Sequence, residues 1–490
     1  MTINLDQTLS WTQAHAATSP AAAAQLAMLH DLQGNILKGH GRHFTSNIFV
    51  RFDPARASAA RRFVASIGHD VTSALDQLLG AEAHKASGTD AGAFITVLLA
   101  AAGYDALGRG DARPPGEAFN AGMAARALND PPATGWDQAL QAPHALILVG
   151  TSDPAWRDSE RQAILARIAA TGGAVVHAGH VDGNALFNRE DGLGIEHFGY
   201  VDGRSQPLAL QEDVDHEAAH GGTDKWDPAI HLRQLLVRCP GGALDVSHGS
   251  FFVFRKLEQN VRGFKLREEE LAAALDAERA AKGLPVEPVG ERAGASVVGR
   301  FENGTPVSLS PTEVALPAKR DDAVRNNFNF STDLEGLKCP YAAHIRKSNP
   351  RNDAPNSKSH LMARRGIPYG RRDDDPNDGR TDNKPTGDVG LIFMAYQASI
   401  EDQFEFTQNA WVNNPQFARP LLRPGPVTGI DPVIGQKPTP LPEPPIAGQL
   451  YPLDWGQQLS DRPFDFSDFV TMRGGEYLFA PAISFLKSLR

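Results

Sequence analysis

The order of apolar runs in the first part of the chain is the feature that most limits what it can fold into. Four short β-rich runs, Asn47–Phe52, Phe94–Leu99, His144–Gly150 and Ala174–Ala178, alternate with segments of helical spacing. From Pro54 to about Leu79 the apolar residues Phe63, Val64, Ile67, Val71, Leu75, Leu78 and Leu79 recur at helical intervals, which predicts one helix. An alanine-rich patch from Ala118 to Leu128 predicts another. Asp153-Pro154 opens a third, to about Ala170, because aspartate caps a helix and proline fits its first turn. The order is βαββαβ with an extra helix between the inner strands, the plan of a ferredoxin-like module.

The second half repeats the pattern more loosely. Ser250–Phe254 reads as a strand, Leu257 to about Lys282 as a charged helix, and Asp388–Tyr396 as the strongest strand in the chain. Glu401 to about Asn409 reads as the helix after it, and Phe469–Met472 and Tyr477–Phe479 as strands flanking Gly474-Gly475. The expectation is an α+β protein of two modules, residues 1–235 and 236–490, the second with long insertions. One insertion, Pro420 to Pro452, holds ten prolines and predicts an irregular loop. Another, Arg371–Gly379, is acidic enough to suggest calcium. It fails as an EF-hand, because Asp378 and Lys384 stand where that loop needs glycine and glutamate.

Composition narrows the partners. Hydrophobic residues make up 41%, enough for large cores. Lys and Arg number 48 against 58 Asp and Glu, a net charge of −10, so no global field draws the chain to nucleic acid or an anionic membrane. The two cysteines, Cys239 and Cys339, exclude a disulfide framework and a thiolate cluster built by this chain. The N-terminus has no basic start before an apolar run, and the longest apolar stretch, near Ala93 to Ala102, is about half a membrane span. The expectation is a cytoplasmic protein with no nucleic-acid and no membrane partner.

Four motifs bear on chemistry. His216-Glu217-Ala-Ala-His220 spells a zinc-hydrolase signature, but Gly221-Gly222 would end a helix at the second ligand and the flank is acidic rather than apolar. Gly199-Tyr-Val-Asp202-Gly203 reads alone as a turn. Cys339-Pro-Tyr-Ala-Ala-His344-Ile-Arg-Lys-Ser-Asn-Pro-Arg351 sets one histidine among arginines. A haem needs such a group, with neutral imidazole for iron and guanidinium, here Arg346 or Arg351, for propionates. Arg364-Arg365-Gly366 supplies a cation pair in a turn. A haem peroxidase needs an iron ligand, an acid–base group to move the peroxide proton, and a cation for the developing charge. His344, Asp202 and Arg364 supply one of each.

On these motifs the chain resembles the dye-decolourising peroxidase family, and Leu32–Lys38, Gly390–Gln397 and Gly474–Pro481 extend the likeness over nearly the whole length. The resemblance implies two ferredoxin-like modules with haem b, one per chain, between the sheets and mostly under the second. It implies His344 as iron ligand, Asp202 and Arg364 as the catalytic pair, Leu391 and Phe393 as a cavity wall, Arg346 as propionate partner and Glu401 as the acid orienting His344. Arg204, beside Asp202, departs from the family pattern. The implied partners are hydrogen peroxide and small aromatic or dye-like electron donors. The alternatives are a haem-binding or iron-releasing protein of the same fold, and the zinc hydrolase. Tyr369, Tyr396 and Trp411 are candidate electron relays to the surface.

Overall fold

The computed structural model describes residues 3–189, 192–284, 290–314, 323–417, 428–438, 448–457 and 461–490. The first module forms as expected. Strand β1 (Phe44–Phe52) is followed by helices α1 (Ala57–Gly68) and α2 (Ala74–Ser87), then β2 (Phe94–Leu99), β3 (Ala145–Thr151), α3 (Pro154–Ala169) and β4 (Val175–Asn184). The strand order is β2-β3-β1-β4, antiparallel throughout. Asp153 caps α3 by accepting the Trp156 amide hydrogen at 3.0 Å, with Pro154 in the first turn.

The single helix expected over 54–79 is two. Thr72 donates its backbone N–H to the Ile95 carbonyl, and its own carbonyl accepts from Gly34. Those bonds hold residue 72 out of the helix, and Ser73 then caps α2 through the Asp76 amide. The patch at Ala118–Leu128 is likewise split, into Glu117–Ala121 and Met123–Ala125, by Gly122 at φ +75°.

The second module has α4 (Gln211–Ala219) before it, then β5 (His248–Gln259), α5 (Val261–Ala281), α6 (His344–Ser348), β6 (Ala363–Arg364), β7 (Ile367–Tyr369), β8 (Gly390–Gln397) and β9 (Val470–Ala480). β5 runs well past the strand expected at 250–254, and α5 starts only where Asn260 caps it through the Gly263 amide. The two strands expected around Gly474-Gly475 are one, β9, with a register shift between Met472 and Gly474. Two consecutive π-helical runs, Ile400–Glu405 and Thr407–Val412, replace the α-helix expected at 401–409. Of the proline-rich stretch, residues 418–427 and 439–447 lie outside the described residues. Gln449–Pro452 at its end is a strand paired with Asp461–Phe464, not loop.

β9, β5 and β8 lie side by side, with β6 and β7 together along the outer edge of β8. Each module therefore orders its strands fourth, first, third, second. The sheets meet at both edges, Phe479 opposite Leu99 and Tyr369 opposite Gly183. Their inner faces pack on one another: Phe49, Leu98, Leu146 and Leu148 from the first meet Phe252, Phe254, Ile392, Met394 and Tyr396 from the second. Phe49 and Phe254 contact edge to face, with centroids 5.0 Å apart. The space between the sheets is thus filled by side chains. Among the described residues no helix is long and apolar enough to cross a membrane.

Candidate active site

Alternation along a strand sends every second side chain to the opposite face. Leu257 on β5, Leu391 and Phe393 on β8 and Val470 on β9 therefore point away from the filled interior. They floor a large cavity under the outer face of the second sheet. The cavity lies under that sheet as expected, but on the side turned away from the first sheet rather than between the two. Asp202, Arg364 and His344, from three distant stretches of sequence, all line it.

His344 is the first residue of α6, a short helix ended at Asn349 by Pro350. Successive residues of a helix point about 100° apart, and here each has its own anchor. Ile345 packs against Gly299, where a Cβ would lie 2.3 Å from it. Arg346 is fully buried and paired with Asp353 at 2.6 Å and Asp333 at 3.0 Å, with Tyr341 and Phe330 on its faces. It does not line the cavity, so it is not the propionate partner expected of it. Lys347 gives its ammonium hydrogens to the carbonyls of Trp411, Asn414 and Phe417, and burial pushes it down to about 7.

The acid beside His344 is Asp431, not Glu401. Nδ1 of His344 lies 2.9 Å from Oδ2 of Asp431, whose side chain is wholly buried. The other carboxylate oxygen accepts the amide hydrogens of Val433 and Ile434 at 2.8 and 2.9 Å. Burial works against a charged imidazole, but the Asp431 carboxylate outweighs it and the His344 pKa is raised. Glu401 is spent elsewhere, accepting the Ala118 amide hydrogen at 2.6 Å at the start of a helix in the first module.

Asp202 sits in a turn between Gly199 at φ +97° and Gly203 at φ +75°. A Cβ at Gly199 would meet the Asn377 amide nitrogen at 2.9 Å, so the position needs glycine twice over. The Asp202 amide donates to the Gly194 carbonyl at 3.0 Å. Arg364, the last residue of β6, and Arg365, just after it, point different ways. Arg364 faces the cavity and donates Nη2 to the Arg204 carbonyl at 2.6 Å. Arg365 turns to the carbonyls of Asn35 and Ile36 and does not line this cavity.

The lining also includes Glu196, which no motif singled out, and Arg351, which the motif around His344 offered beside Arg346 for the propionates. Glu196 lies upstream of Asp202, and burial pushes its carboxyl up to about 7, with the Asp202 charge adding to the effect. Arg351 has no carboxylate partner among the described residues; it donates to the Asn326 and Phe328 carbonyls and the Ser205 hydroxyl. Burial and the neighbouring Arg300 drive its pKa well down. A second opening, lined by Lys38, His40, Arg42, His216 and Glu217, reaches Asp202 and Arg364 from outside.

Other sequence candidates fall away from the cavity. α4 ends at Ala219, so His220 stands beyond it, with its Nδ1 2.7 Å from the His216 carbonyl. Among the described residues no three histidine, cysteine or carboxylate groups gather to hold a metal. Asp374 and Asp378 of the acidic loop pair with Arg372 and Lys384. Both cysteines are buried and free. The three candidate relays are all buried: Tyr396 in the core between the sheets, Tyr369 under Lys256, and Trp411 against His360, which lines the cavity.

Known proteins agree with this architecture. A family model described as Dyp-type peroxidase, C-terminal, matches residues 306–422. The multifunctional dye peroxidase DyP2 of Amycolatopsis sp. is 42% identical over 501 residues, covering all of both chains. Peroxidase 2 of Mycetinis scorodonius is 30% identical over 96% of this chain and 89% of its own. The solved structure of the Amycolatopsis protein superposes with a TM-score of 0.87 at 41% identity, over 99% of this chain and 100% of that one. A DyP-type peroxidase from Anabaena sp. gives 0.83 at 32% identity, over 99% and 97%. With the two ferredoxin-like modules and the cavity under the second of them, these likenesses establish that the chain belongs to the DyP-type peroxidase family and is a peroxidase of the dye-decolourising kind.

Proposed function

We propose that the protein holds one haem b per chain, reduces hydrogen peroxide, and oxidises dye-like or phenolic donors in one-electron steps. The observation that carries this reading is a single cavity lined by an imidazole tied to a buried carboxylate, together with Asp202 and Arg364. The donor set suits a haem. Nδ1 of His344 is spent on Asp431, which leaves Nε2 for iron. The apolar floor of Leu257, Leu391, Phe393 and Phe404 accepts a flat macrocycle. Arg351, which the sequence offered beside Arg346, and its neighbour Arg300 would face the propionates.

Bound there, the haem supplies the redox centre for peroxide reduction. Asp202 takes the proton from one peroxide oxygen and returns it to the other, which leaves as water; such acid–base work is worth about 10²–10⁴-fold. Arg364 places a cation where negative charge grows as the oxygen–oxygen bond lengthens. Asp431 fixes the imidazole tautomer and strengthens His344 as a donor. Two aromatic donors then give up one electron and one proton each, so that one peroxide and two donors yield two waters and two donor radicals.

The test is His344→Ala. The expected outcome is an unchanged far-ultraviolet circular dichroism spectrum with most of the haem lost. Full haem content with an unaltered visible spectrum overturns the assignment of His344. Iron released from haem with no peroxide-driven dye turnover by the intact protein points instead to a haem-handling role.

A further inference from the structure

The turn that carries Asp202 is held by a carboxylate six residues upstream that no motif includes. Glu196 accepts the Phe198 amide hydrogen on Oε2 at 2.8 Å and the Tyr200 amide hydrogen on Oε1 at 3.1 Å. Its own backbone closes the same loop, its N–H donating to the Tyr200 carbonyl at 3.0 Å and its carbonyl accepting from Gly199 at 2.9 Å. Gln259, at the end of β5, donates its side-chain amide to Oε2 at 2.5 Å. One carboxylate thus ties the loop to itself and to the sheet under the cavity. The surroundings complete the clamp. Phe198 stacks on Phe264 of α5 with centroids 3.9 Å apart, and the Tyr200 hydroxyl donates to Glu268 of the same helix. Asp202 follows two residues after Tyr200, and its amide bonds back to Gly194, two residues before Glu196.

We propose that Glu196 is the positioning residue for Asp202: it fixes the turn from which Asp202 reaches peroxide, without itself touching the reacting atoms. The inference rests on the reading of Asp202 as the acid–base group. A carboxylate suits the place because two amide hydrogens and a side-chain amide all point at it, and charge-assisted hydrogen bonds are about twice as strong as neutral ones. Glutamine is nearly the same shape but offers one oxygen and adds two hydrogens, so one of the three donors then faces another donor.

The test uses the haem-loaded protein. Glu196→Gln is expected to lower kcat/KM for hydrogen peroxide by about tenfold or more, the scale of one lost charge-assisted hydrogen bond, and to leave KM for the dye unchanged. The double variant Glu196→Gln with Asp202→Asn is expected to be no slower than Asp202→Asn alone, because residues acting through one group are not additive. Hydrogen exchange of the amides at 197–203, followed by mass spectrometry on the same samples, is expected to speed up. If Glu196→Gln does not fold, Gln259→Leu loosens the clamp from the sheet side and is expected to show a smaller loss of the same kind. Wild-type kcat/KM for peroxide in a folded Glu196→Gln, or in Gln259→Leu where Glu196→Gln does not fold, overturns the proposal while leaving the Asp202 reading intact if Asp202→Asn is crippled. Losses that multiply in the double variant also overturn it. A silent Asp202→Asn overturns the reading of Asp202 itself, and the proposal with it.

Discussion

The two sheets share a strand order and differ in what covers their outer faces. The first is roofed by helices: Ile48, Val50 and Ile147 on the strands meet Phe63, Val64, Ile67, Ile164 and Ile168 on α1 and α3 in one dry core. The second carries Arg255, Leu257, Gln259, Leu391 and Phe393 on the equivalent face, and its cover includes loops, a five-residue helix and two π-helical runs around a cavity. One topology thus serves as scaffold in the first half and as the floor of a site in the second. The candidate site lies in the irregular cover, where side chains from distant segments are aimed by local hydrogen bonds rather than by a repeating lattice.

That contrast predicts two kinds of variant. The largest effect falls on the cover of the second sheet: Asp202→Asn is expected to slow peroxide consumption by about 10²–10⁴-fold with unfolding temperature and haem content unchanged. Stopped-flow mixing with peroxide checks it, and a parallel Arg365→Leu, whose side chain does not line the cavity, is expected to lose less. Next comes the acid behind His344. Asp431→Asn is expected to weaken haem binding or peroxide turnover by about 10–100-fold, whereas Glu401→Gln is expected to change neither. Haem titration of the two variants compares them, and the reverse ranking would return Glu401 to the site. The smallest effect belongs to the first sheet. Ile147→Val, under α3, is expected to cost about 0.5–1.5 kcal/mol in urea unfolding, with turnover per folded molecule intact. A loss of turnover there would erase the division between scaffold and site.

The same contrast explains what was legible in the sequence. Strands and capped helices follow from short-range rules, so β2, β3 and α3 stand within a residue or two of their expected bounds. Asp202, His344 and Arg364 sit in motifs that stand out in the sequence, Leu391 and Phe393 were implied by the resemblance, and all five line the cavity. Asp431 was not legible. It lies in a run of Gly and Pro that reads as loop, and its partner His344 is 87 residues away. Arg346 misled for the opposite reason: proximity to His344 along the chain suggested a shared environment, while helical geometry turned it toward Asp333 and Asp353. Glu196 carried no signal apart from its nearness to the Asp202 turn.

The span between His344 and Asp431 also sets a schedule for making the protein. A chain leaving the ribosome brings out the first sheet whole, with contacts local enough to form early. His344 emerges later with nothing to hold its ring. Only when residue 431 and the turn beyond it have followed does the imidazole gain its fixed tautomer, and only with β9 does the cavity floor close. On the proposed role of His344, capture of a cofactor there belongs to the last stage of biogenesis, and a chain cut short before Asp431 would carry Asp202 and His344 without the means to aim the ring.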